Sequence, residues 1–251
     1  MPVNQHPIFS IITATYNSEL TISETIESLL SQDFDNFEIL IIDGLSTDNT
    51  IRIIKSYNDS RINIYSEADE GIYDALNKGI SRSIGDIIGF LHSDDSFTNN
   101  NILSDIYKSF DSQFDGVYGD LNYVSANNRN KIIRNWVSNS FNPKMLKKGW
   151  MPPHPTLFLN KNVYEKHGNF KTEYNVSSDY DFILRIFKDE ELSFKYINKK
   201  LVNMKIGGSS NKSLNNILIK LREDYKIIKS NSIGNFGTLI LKNFTKINQF
   251  I

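Results

Sequence analysis

The chain of 251 residues contains no cysteine. This absence excludes a disulfide framework, a thiolate nucleophile and a zinc site with cysteine ligands. Because disulfides are scarce where thiols are kept reduced, a chain without cysteine suits a reducing compartment, and we expect a cytoplasmic protein.

Long apolar runs are absent as well. No stretch approaches the roughly 18 apolar residues that a transmembrane helix needs, and the N-terminus lacks the basic segment and apolar run of a signal peptide. Neither a Walker-type phosphate loop nor a G-x-G-x-x-G segment follows a predicted strand. An ATPase or a dinucleotide-binding protein is therefore not indicated.

Net charge is low, at −1, so the chain as a whole has no strong attraction for nucleic acid. The charge is unevenly distributed along the sequence. Residues 195–251 hold 11 Lys and Arg against 2 Asp and Glu, a net of +9, whereas residues 1–194 hold 17 against 27, a net of −10. A basic C-terminal part of this kind suggests an anionic partner.

Apolar runs and helical patterns alternate over the first 95 residues. The runs at 8–12, 37–42, 62–65 and 87–91 predict strands, and the segments between them have the periodicity of amphipathic helices. This alternation predicts an α/β fold with a parallel, doubly wound sheet. The second half predicts shorter strands at 116–118, 121–124, 131–137, 156–159 and 194–204, a helix near residue 179 and a C-terminal amphipathic helical segment.

Polar side chains follow the predicted strands of the first half, at Tyr16, Asp43, Asp69 and the Asp94–Asp95 pair. In open α/β sheets the ligand crevice lies at the carboxyl ends of the strands. We therefore expect these residues to converge, although they are spread over about 80 positions of the sequence.

Each polar group has a functional and a structural interpretation. The Asp94–Asp95 pair can supply carboxylates, exposed in the crevice, to Mg²⁺ or Mn²⁺, or it can simply cap a helix. Asp43 can accept hydrogen bonds from a base or ribose, and Tyr16 can stack on a base or pack at the sheet edge. Asp48 is interpreted as a helix cap, and Thr21 with Glu24 matches a capping box.

The second half offers three further candidates. Asp179 can take a proton from a hydroxyl or can be a helix N-cap. His154 can contact substrate, although a single histidine is more often structural. The segment 205–210, with Lys205 and Ser209, can close over a diphosphate or be a plain surface loop.

Four segments resemble the motifs of family 2 glycosyltransferases with the GT-A fold, and they occur in the same order. They are IFSIITATYN at 8–17, IIDGLSTDNT at 41–50, DEGIYDALNKG at 69–79 and GDIIGFLHSDD at 85–95. The similarity extends to about residue 210 and is greatest to the bacterial branch that makes O-antigen and other surface polysaccharides. Three positions depart from the family pattern: His92, Ser178 and Gly207.

The resemblance implies a Rossmann-like, mostly parallel sheet with helices on both faces. The catalytic domain would span residues 1–210, with a nucleotide-binding half at 1–95 and an acceptor half at 96–210, and residues 211–251 would form a helical extension. It also implies one role for each matching residue. Asp179 would be the catalytic base and Asp95 the ligand of Mn²⁺ or Mg²⁺, and the nucleotide-sugar would contact Ala14, Tyr16, Asp43, Asp74, Asn77, Asp94, Lys205 and Ser209.

The function expected from the resemblance is inverting transfer of a sugar from a nucleotide-sugar, expected to be a UDP-sugar, to a glycan acceptor. That acceptor would be lipid-linked, as in O-antigen or capsule synthesis, and nucleic acid is not an expected partner. The alternatives are a sugar nucleotidyltransferase and a non-catalytic module that binds nucleotides or carbohydrates. Residues 13–17 lack the Gly- and Arg-rich phosphate loop of the former, and an intact Asp43, Asp95 and Asp179 argue against the latter.

The last residues have two interpretations. Apolar side chains recur at near-helical spacing at Phe236, Leu239, Ile240, Phe244, Ile247 and Phe250, with Lys242 and Lys246 between them. Such a helix can lie on an anionic membrane surface, as a peripheral protein at the inner face of the cytoplasmic membrane. It can equally pack back on the catalytic domain.

Overall fold

The computed structural model describes residues 6–111, 113–206 and 214–244. The strands within these ranges are β1 Phe9–Thr15, β2 Phe37–Asp43, β3 Ile62–Ser66, β4 Ile87–Phe90, β5 Ser96–Phe97, β6 Gly116–Ser125, β7 Asn128–Trp136, β8 Leu157–Asn160 and β9 Phe194–Lys205. The α-helices are α1 Ile22–Leu30, α2 Thr50–Ser56, α3 Ile72–Arg82, α4 Ile102–Ser109, α5 Lys161–His167, α6 Ser178–Phe187, α7 Leu214–Ser230 and α8 Phe236–Phe244. Short 3-10 helices lie at Pro143–Lys148 and His154–Thr156.

The strands of the described ranges form one sheet in the order β3-β2-β1-β4-β8-β6-β9-β5, and β7 pairs with β6. β1 runs parallel to both β2 and β4, and β2 runs parallel to β3. This confirms the doubly wound first half. In the second half β8 is antiparallel to β4 and β6, whereas β9 is parallel to β6.

The apolar character of β1 and β2 follows from their central place in the sheet. Every residue of both strands is buried, as expected for strands that are covered on two faces. One hydrophobic cluster joins the sheet to α1, α2 and α4, and a second joins its other face to α3, α5, α6, α7 and α8. The predicted helices on both faces are confirmed.

Two local predictions are wrong in detail. Residues 116–118 and 121–124 belong to a single strand, β6, because its pairing with β9 continues past residue 119 with register shifts. The Thr21–Glu24 capping box does not form, since Thr21 makes no side-chain cap bond. Asn49 and not Asp48 occupies the N-cap position of α2, but the Asp48 carboxylate accepts the backbone N–H of Thr50, the first residue of the helix, at 2.9 Å.

α8 packs back on the preceding part of the chain, against α7 and the 3-10 helix Pro143–Lys148. Its Leu239 is buried, Thr238 donates to the carbonyl of Lys147 at 2.9 Å, and Lys242 pairs with Asp224 at 2.7 Å. The opposite face is open, with Phe244 63% exposed. Lys246, Ile247 and Phe250 lie outside the described residues. None of the helices in the described ranges has the length and apolar character needed to cross a membrane.

Candidate functional site

The loops that follow β1 and β2 meet at the carboxyl edge of the sheet. A Cβ atom added to Gly44 would lie 2.5 Å from Oδ2 of Asp69 and 3.6 Å from the ring of Tyr16. A side chain at position 44 would therefore require the Asp69 carboxylate to move. Tyr16 is 63% exposed, and Ala14 lies one residue before the end of β1, paired with Ile42. An open aromatic ring beside a carboxylate suits a nucleobase.

Asp43 is fully buried at the end of β2. Its carboxylate accepts the Ser46 hydroxyl at 2.5 Å, the Ser66 hydroxyl at 2.6 Å and the Ser46 backbone N–H at 3.1 Å. These bonds fix the loop after β2 to β3. The Asp43 carboxylate thus fixes the loop that carries Gly44 through its bonds to Ser46 and Ser66. Direct contact of Asp43 with a nucleotide stays a prediction.

α3 carries the two other residues expected near the nucleotide. Asp74 pairs with Lys78 at 3.0 Å and accepts the backbone N–H of Glu70 at 3.1 Å. The Asn77 amide binds both backbone groups of Phe170, at 2.8 and 3.0 Å. Asn77 therefore fastens α3 to the segment before α6, and its contact with the nucleotide-sugar stays a prediction.

Asp95 differs from the expected exposed crevice carboxylate, because it is 0% exposed. Its Oδ1 accepts the backbone N–H of Lys205 at 3.3 Å, whereas its Oδ2 is buried without a hydrogen-bond partner. Burial, followed by the charge of Asp94, raises the pKa of Asp95 well above its usual value. A bound cation would relieve both effects, since it favours the ionised carboxylate.

The donor set fits a metal ion that is shared with substrate. Within the described ranges no three His, Asp or Glu side chains are grouped to hold an ion by themselves. Mg²⁺ usually takes only one or two carboxylates and completes its coordination with water and substrate phosphates. The free oxygen of Asp95 suits that arrangement.

Lys205 lies at the end of β9, opposite Val124 of β6. Its backbone bonds Asp95, and its Nζ lies 3.7 Å from Oε2 of Glu24 on α1. The structure thus brings Lys205 to Asp95, the predicted metal ligand, and contact of Lys205 with a diphosphate stays a prediction. Ser209 and Gly207 lie outside the described residues.

Asp179 is the second residue of α6, and Ser177 occupies the N-cap position. The N-cap interpretation of Asp179 is therefore wrong. Oη of Tyr73 lies 3.1 Å from Oδ1 of Asp179 and 2.8 Å from the carbonyl oxygen of Val176. Burial, together with the charge of Asp179, raises the pKa of Tyr73 well above its usual value. Tyr73 therefore stays protonated and orients the carboxylate.

Asp181, the neighbouring acid, is fully buried. Its carboxylate is bound by Arg185 at 2.8 Å, Asn231 at 3.0 Å and Lys171 at 3.2 Å. A carboxylate with these partners is poorly placed to take a proton from substrate. Of the two acids at the start of α6, Asp179 is the half-exposed one.

Two histidines, His92 and His154, lie near Asp179. The ring of His154 packs 4.8 Å from Phe90 and 5.9 Å from His92, between centroids. Burial lowers the pKa of His154 to about 4 and also lowers that of His92, while the charge of Asp179 acts on both. Both rings are therefore neutral near pH 7, and the aromatic contacts of His154 agree with a structural role.

Comparisons with known proteins agree with this geometry. The sequence model described as "Glycosyl transferase family 2" matches residues 10–177. A PGL/p-HBAD biosynthesis glycosyltransferase of Mycobacterium bovis is 29% identical over 211 residues, which are 82% of this chain and 80% of the relative. The Escherichia coli enzyme WfgD, a UDP-Glc:alpha-D-GlcNAc-diphosphoundecaprenol beta-1,3-glucosyltransferase, is 36% identical over 132 residues, 52% of this chain and 51% of WfgD.

Solved structures share the fold. Residues 1–349 of S. aureus TarS, in complex with UDP-GlcNAc, superpose with a TM-score of 0.69 at 19% identity, over 88% of this chain and 66% of that one. The mannosyltransferase PcManGT of Pyrobaculum calidifontis, in complex with GDP-Man and Mn²⁺, superposes with a TM-score of 0.61 at 16% identity, over 90% of this chain and 64% of that one. This chain therefore spans about two thirds of those solved chains. With a family match over most of its length and a GT-A-like mixed α/β sheet, the chain belongs to glycosyl transferase family 2.

Proposed function

We propose that the protein is a metal-dependent, inverting glycosyltransferase that moves a sugar from a UDP-sugar to a lipid-linked glycan acceptor. The observation that carries this proposal is the state of two carboxylates, those of Asp95 and Asp179. Asp95 has a buried oxygen without a partner, and Asp179 is half-exposed and oriented by Tyr73. Burial is the main cause that raises the pKa of Tyr123; Arg134 opposes this shift, and the charges of Asp95 and Asp179 both add to it.

The residues around Tyr16 and the relatives favour a uridine nucleotide. Tyr16, Gly44 and Asp69 lie together at the carboxyl edge of the sheet, and the ring of Tyr16 is 63% exposed. WfgD is named for UDP-Glc and TarS is solved with UDP-GlcNAc, although PcManGT is solved with GDP-Man. Because a uracil has donor and acceptor groups on one edge, a carboxylate such as Asp69 can accept its ring N–H.

The reaction is one in-line displacement. Asp179 takes the proton of the acceptor hydroxyl as that oxygen attacks the anomeric carbon. The bond from that carbon to the diphosphate breaks, and UDP leaves with the electron pair. Asp95 would hold the divalent ion, whose positive charge would stabilise the leaving diphosphate. Attack opposite the leaving group inverts the anomeric centre, so an α-linked donor gives a β-linked product.

The acceptor and the location follow from WfgD and from the outer surface of α8. WfgD is named for an acceptor that carries diphosphoundecaprenol, and a lipid-linked acceptor requires an enzyme at a membrane surface. Phe236, Ile240, Leu241 and Phe244 are exposed on α8, in the part of the chain that carries the net +9. We infer that this face touches the cytoplasmic side of the membrane, where surface polysaccharides such as O-antigen are assembled.

The test is turnover with a panel of donors. Purified protein is given UDP-glucose, UDP-galactose, UDP-GlcNAc or GDP-mannose with Mn²⁺, with and without an alkyl-diphosphate-linked α-GlcNAc. We expect release of UDP that requires the acceptor and is lost in chelator, and a product with a β anomeric coupling in its proton NMR spectrum. Formation of a nucleotide-sugar from a sugar phosphate, or donor binding without turnover, would show that one of the alternatives is correct.

A further inference from the structure

The backbone just before α6 is held by a carboxylate from α7. Oε1 of Glu223 accepts the N–H of Asn175 at 2.8 Å, and Oε2 accepts the N–H groups of Val176 and Ser177, both at 3.0 Å. Asp179 follows two residues later. A carboxylate that accepts three backbone N–H groups forms charge-assisted bonds, which are stronger than bonds between neutral groups. The position also suits the positive end of the α6 dipole.

The peptide group between Val176 and Ser177 is held from both sides. Its N–H donates to Glu223, and its carbonyl oxygen lies 2.8 Å from Oη of Tyr73. The same Oη lies 3.1 Å from Oδ1 of Asp179. Glu223 therefore fixes the peptide group that sets the distance between Tyr73 and the carboxylate.

A second contact from α7 reaches the residue after the base. Asp224 pairs with Lys242 of α8 at 2.7 Å, and Nζ of Lys242 lies 3.2 Å from the centroid of the Tyr180 ring. Both acids are adjacent on one helix. One holds the segment before Asp179, and the other acts through Lys242 on the side chain that follows it.

We propose that Glu223 is a positioning residue for the reaction, which fixes the Asp179 carboxylate at the distance from the acceptor hydroxyl that proton transfer requires. This inference rests on the proposed function, since it assigns a partner to the proposed base. Glu223 lies beyond residue 177, where the family match ends. The base is therefore fixed by a helix that the family motifs do not include.

The first test compares two glutamates, each of which makes a contact between α7 and the segment before α6. Glu223→Ala removes the three backbone bonds. The matched control is Glu173→Ala, because Glu173 is exposed and its carboxylate pairs with the Lys226 side chain, at 3.0 Å. A displacement of about 1 Å can cost on the order of 100-fold in rate, so we expect kcat to fall about 10- to 100-fold. The donor KM should not change, and Glu173→Ala should resemble the parent.

The second test separates positioning from a general structural role. Glu223→Ala is combined with Asp179→Asn, and UDP release is measured with the most active UDP-sugar of the panel. If Glu223 acts through Asp179, the double variant is no slower than Asp179→Asn alone, because effects in one functional unit are not additive. Glu223→Gln keeps one acceptor oxygen and should fall between the parent and Glu223→Ala, and it replaces Glu223→Ala if that variant does not fold.

Each other outcome is decisive. If Asp179→Asn is inactive while Glu223→Ala keeps the parent kcat, the positioning inference is wrong and the proposed function stands. An equal loss in both backgrounds assigns Glu223 a structural role only and overturns the inference. If Asp179→Asn itself keeps the parent kcat, the base assignment fails, and the positioning inference fails with it.

Discussion

At the scale of single residues, the burial of Asp95 determines how its role should be tested. A buried carboxylate oxygen without a partner is costly, because a polar group taken from water without a compensating bond loses its hydration. Replacement by alanine would leave a cavity next to Lys205 and confuse two effects. Asparagine keeps the shape of the side chain, removes the carboxylate charge and replaces one oxygen with an amide nitrogen.

We therefore expect Asp95→Asn to fold at least as stably as the parent without metal. In the parent, Mn²⁺ added to the UDP complex should raise the melting temperature further, by the equivalent of about 2.7 kcal/mol at about 100 times its Kd. The variant should lose this metal-dependent increase and its metal-dependent turnover, and it should keep the increase caused by UDP alone. Parent activity that survives chelation would contradict the metal assignment.

Asp179→Asn keeps the shape of the side chain and an oxygen for the Tyr73 hydroxyl, but an amide cannot take a proton. We expect kcat to fall by about 100-fold or more, the scale of a lost general base, while the Kd of the donor stays the same. Isothermal titration with UDP and a coupled UDP-release assay measure the two quantities. Asp189→Asn is the control, because Asp189 lies beyond the other end of α6, where its partly buried carboxylate pairs with Lys166 at 2.9 Å and with His167 at 3.0 Å. Normal turnover of Asp179→Asn would contradict the proposed base.

The residues of the site differ in how far the sequence could predict them. Tyr16, Asp95 and Asp179 lie in motifs or at strand and helix ends, so the local sequence pattern was sufficient to select them as candidate site residues. Tyr73 lies in a matched segment, but its contact with Asp179 spans 106 positions. Glu223 has no local signal at all, because its role depends on backbone groups 46 to 48 positions away. Such contacts become visible only when the packing of α3, α6 and α7 is known.

At the scale of elements, α7 and α8 are joined to each other by a buried ion pair. Asp224 and Lys242 are almost fully buried. Burial lowers the pKa of Lys242 to about 8, although Asp224 opposes the shift. The ammonium also lies against the ring of Tyr180. Because both charged groups are buried, water cannot hydrate one of them when its partner is removed. The two residues must therefore be kept or removed together.

We expect Lys242→Met to destabilise the protein by about 3–5 kcal/mol, because it leaves the Asp224 carboxylate buried without its counter-ion. Adding Asp224→Asn should recover most of this loss, since no unpaired charge then remains. The free energy of unfolding from urea titrations measures both. If the double variant loses the sum of the stability losses caused by Lys242→Met and Asp224→Asn alone, the two residues do not act as a pair.

Secondary structure was predicted best where burial determines the sequence. β1, β2 and the helices around them have the periodicity that their two-sided burial requires, and their parallel order follows from that pattern. The second half was predicted as separate short strands, and its strand order was not predicted. The order β8-β6-β9-β5 depends on long-range pairing, such as Gly116 with both Leu159 and Phe194. The Thr21–Glu24 pair failed as a capping box because Glu24 faces Lys205 of β9 instead.

At the scale of the whole molecule, charge and apolar surface coincide. The net +9 falls in the part of the chain that includes α7 and α8. On these helices Leu218, Tyr225, Phe236 and Phe244 are exposed, and the rings of Tyr225 and Phe236 lie 6.2 Å apart. An exposed apolar face beside basic residues is typical of helices that lie in the headgroup region of an anionic membrane.

Removing the C-terminal residues is not a clean test of membrane binding, because it would also remove Lys242 from Asp224. Substituting the outer face avoids this difficulty. In the variant with Phe236→Glu and Phe244→Glu, both changes fall on side chains more than 60% exposed, so the fold and the turnover of a water-soluble acceptor should not change. Binding to vesicles with a high phosphatidylglycerol content should be lost, because two apolar anchors are replaced by charges that the lipid repels.

Sedimentation with such vesicles at low salt measures this binding. Leu20→Glu is the matched control, because Leu20 is 91% exposed and follows β1, in the part of the chain with the net of −10. It should sediment with the vesicles as the parent does. High salt should weaken binding of the parent, since the attraction between lysines and anionic lipid is screened within about 10 Å at 0.1 M salt. If the parent does not sediment, or if Leu20→Glu is lost to the same extent as the double variant, the outer face of α8 is not the membrane contact.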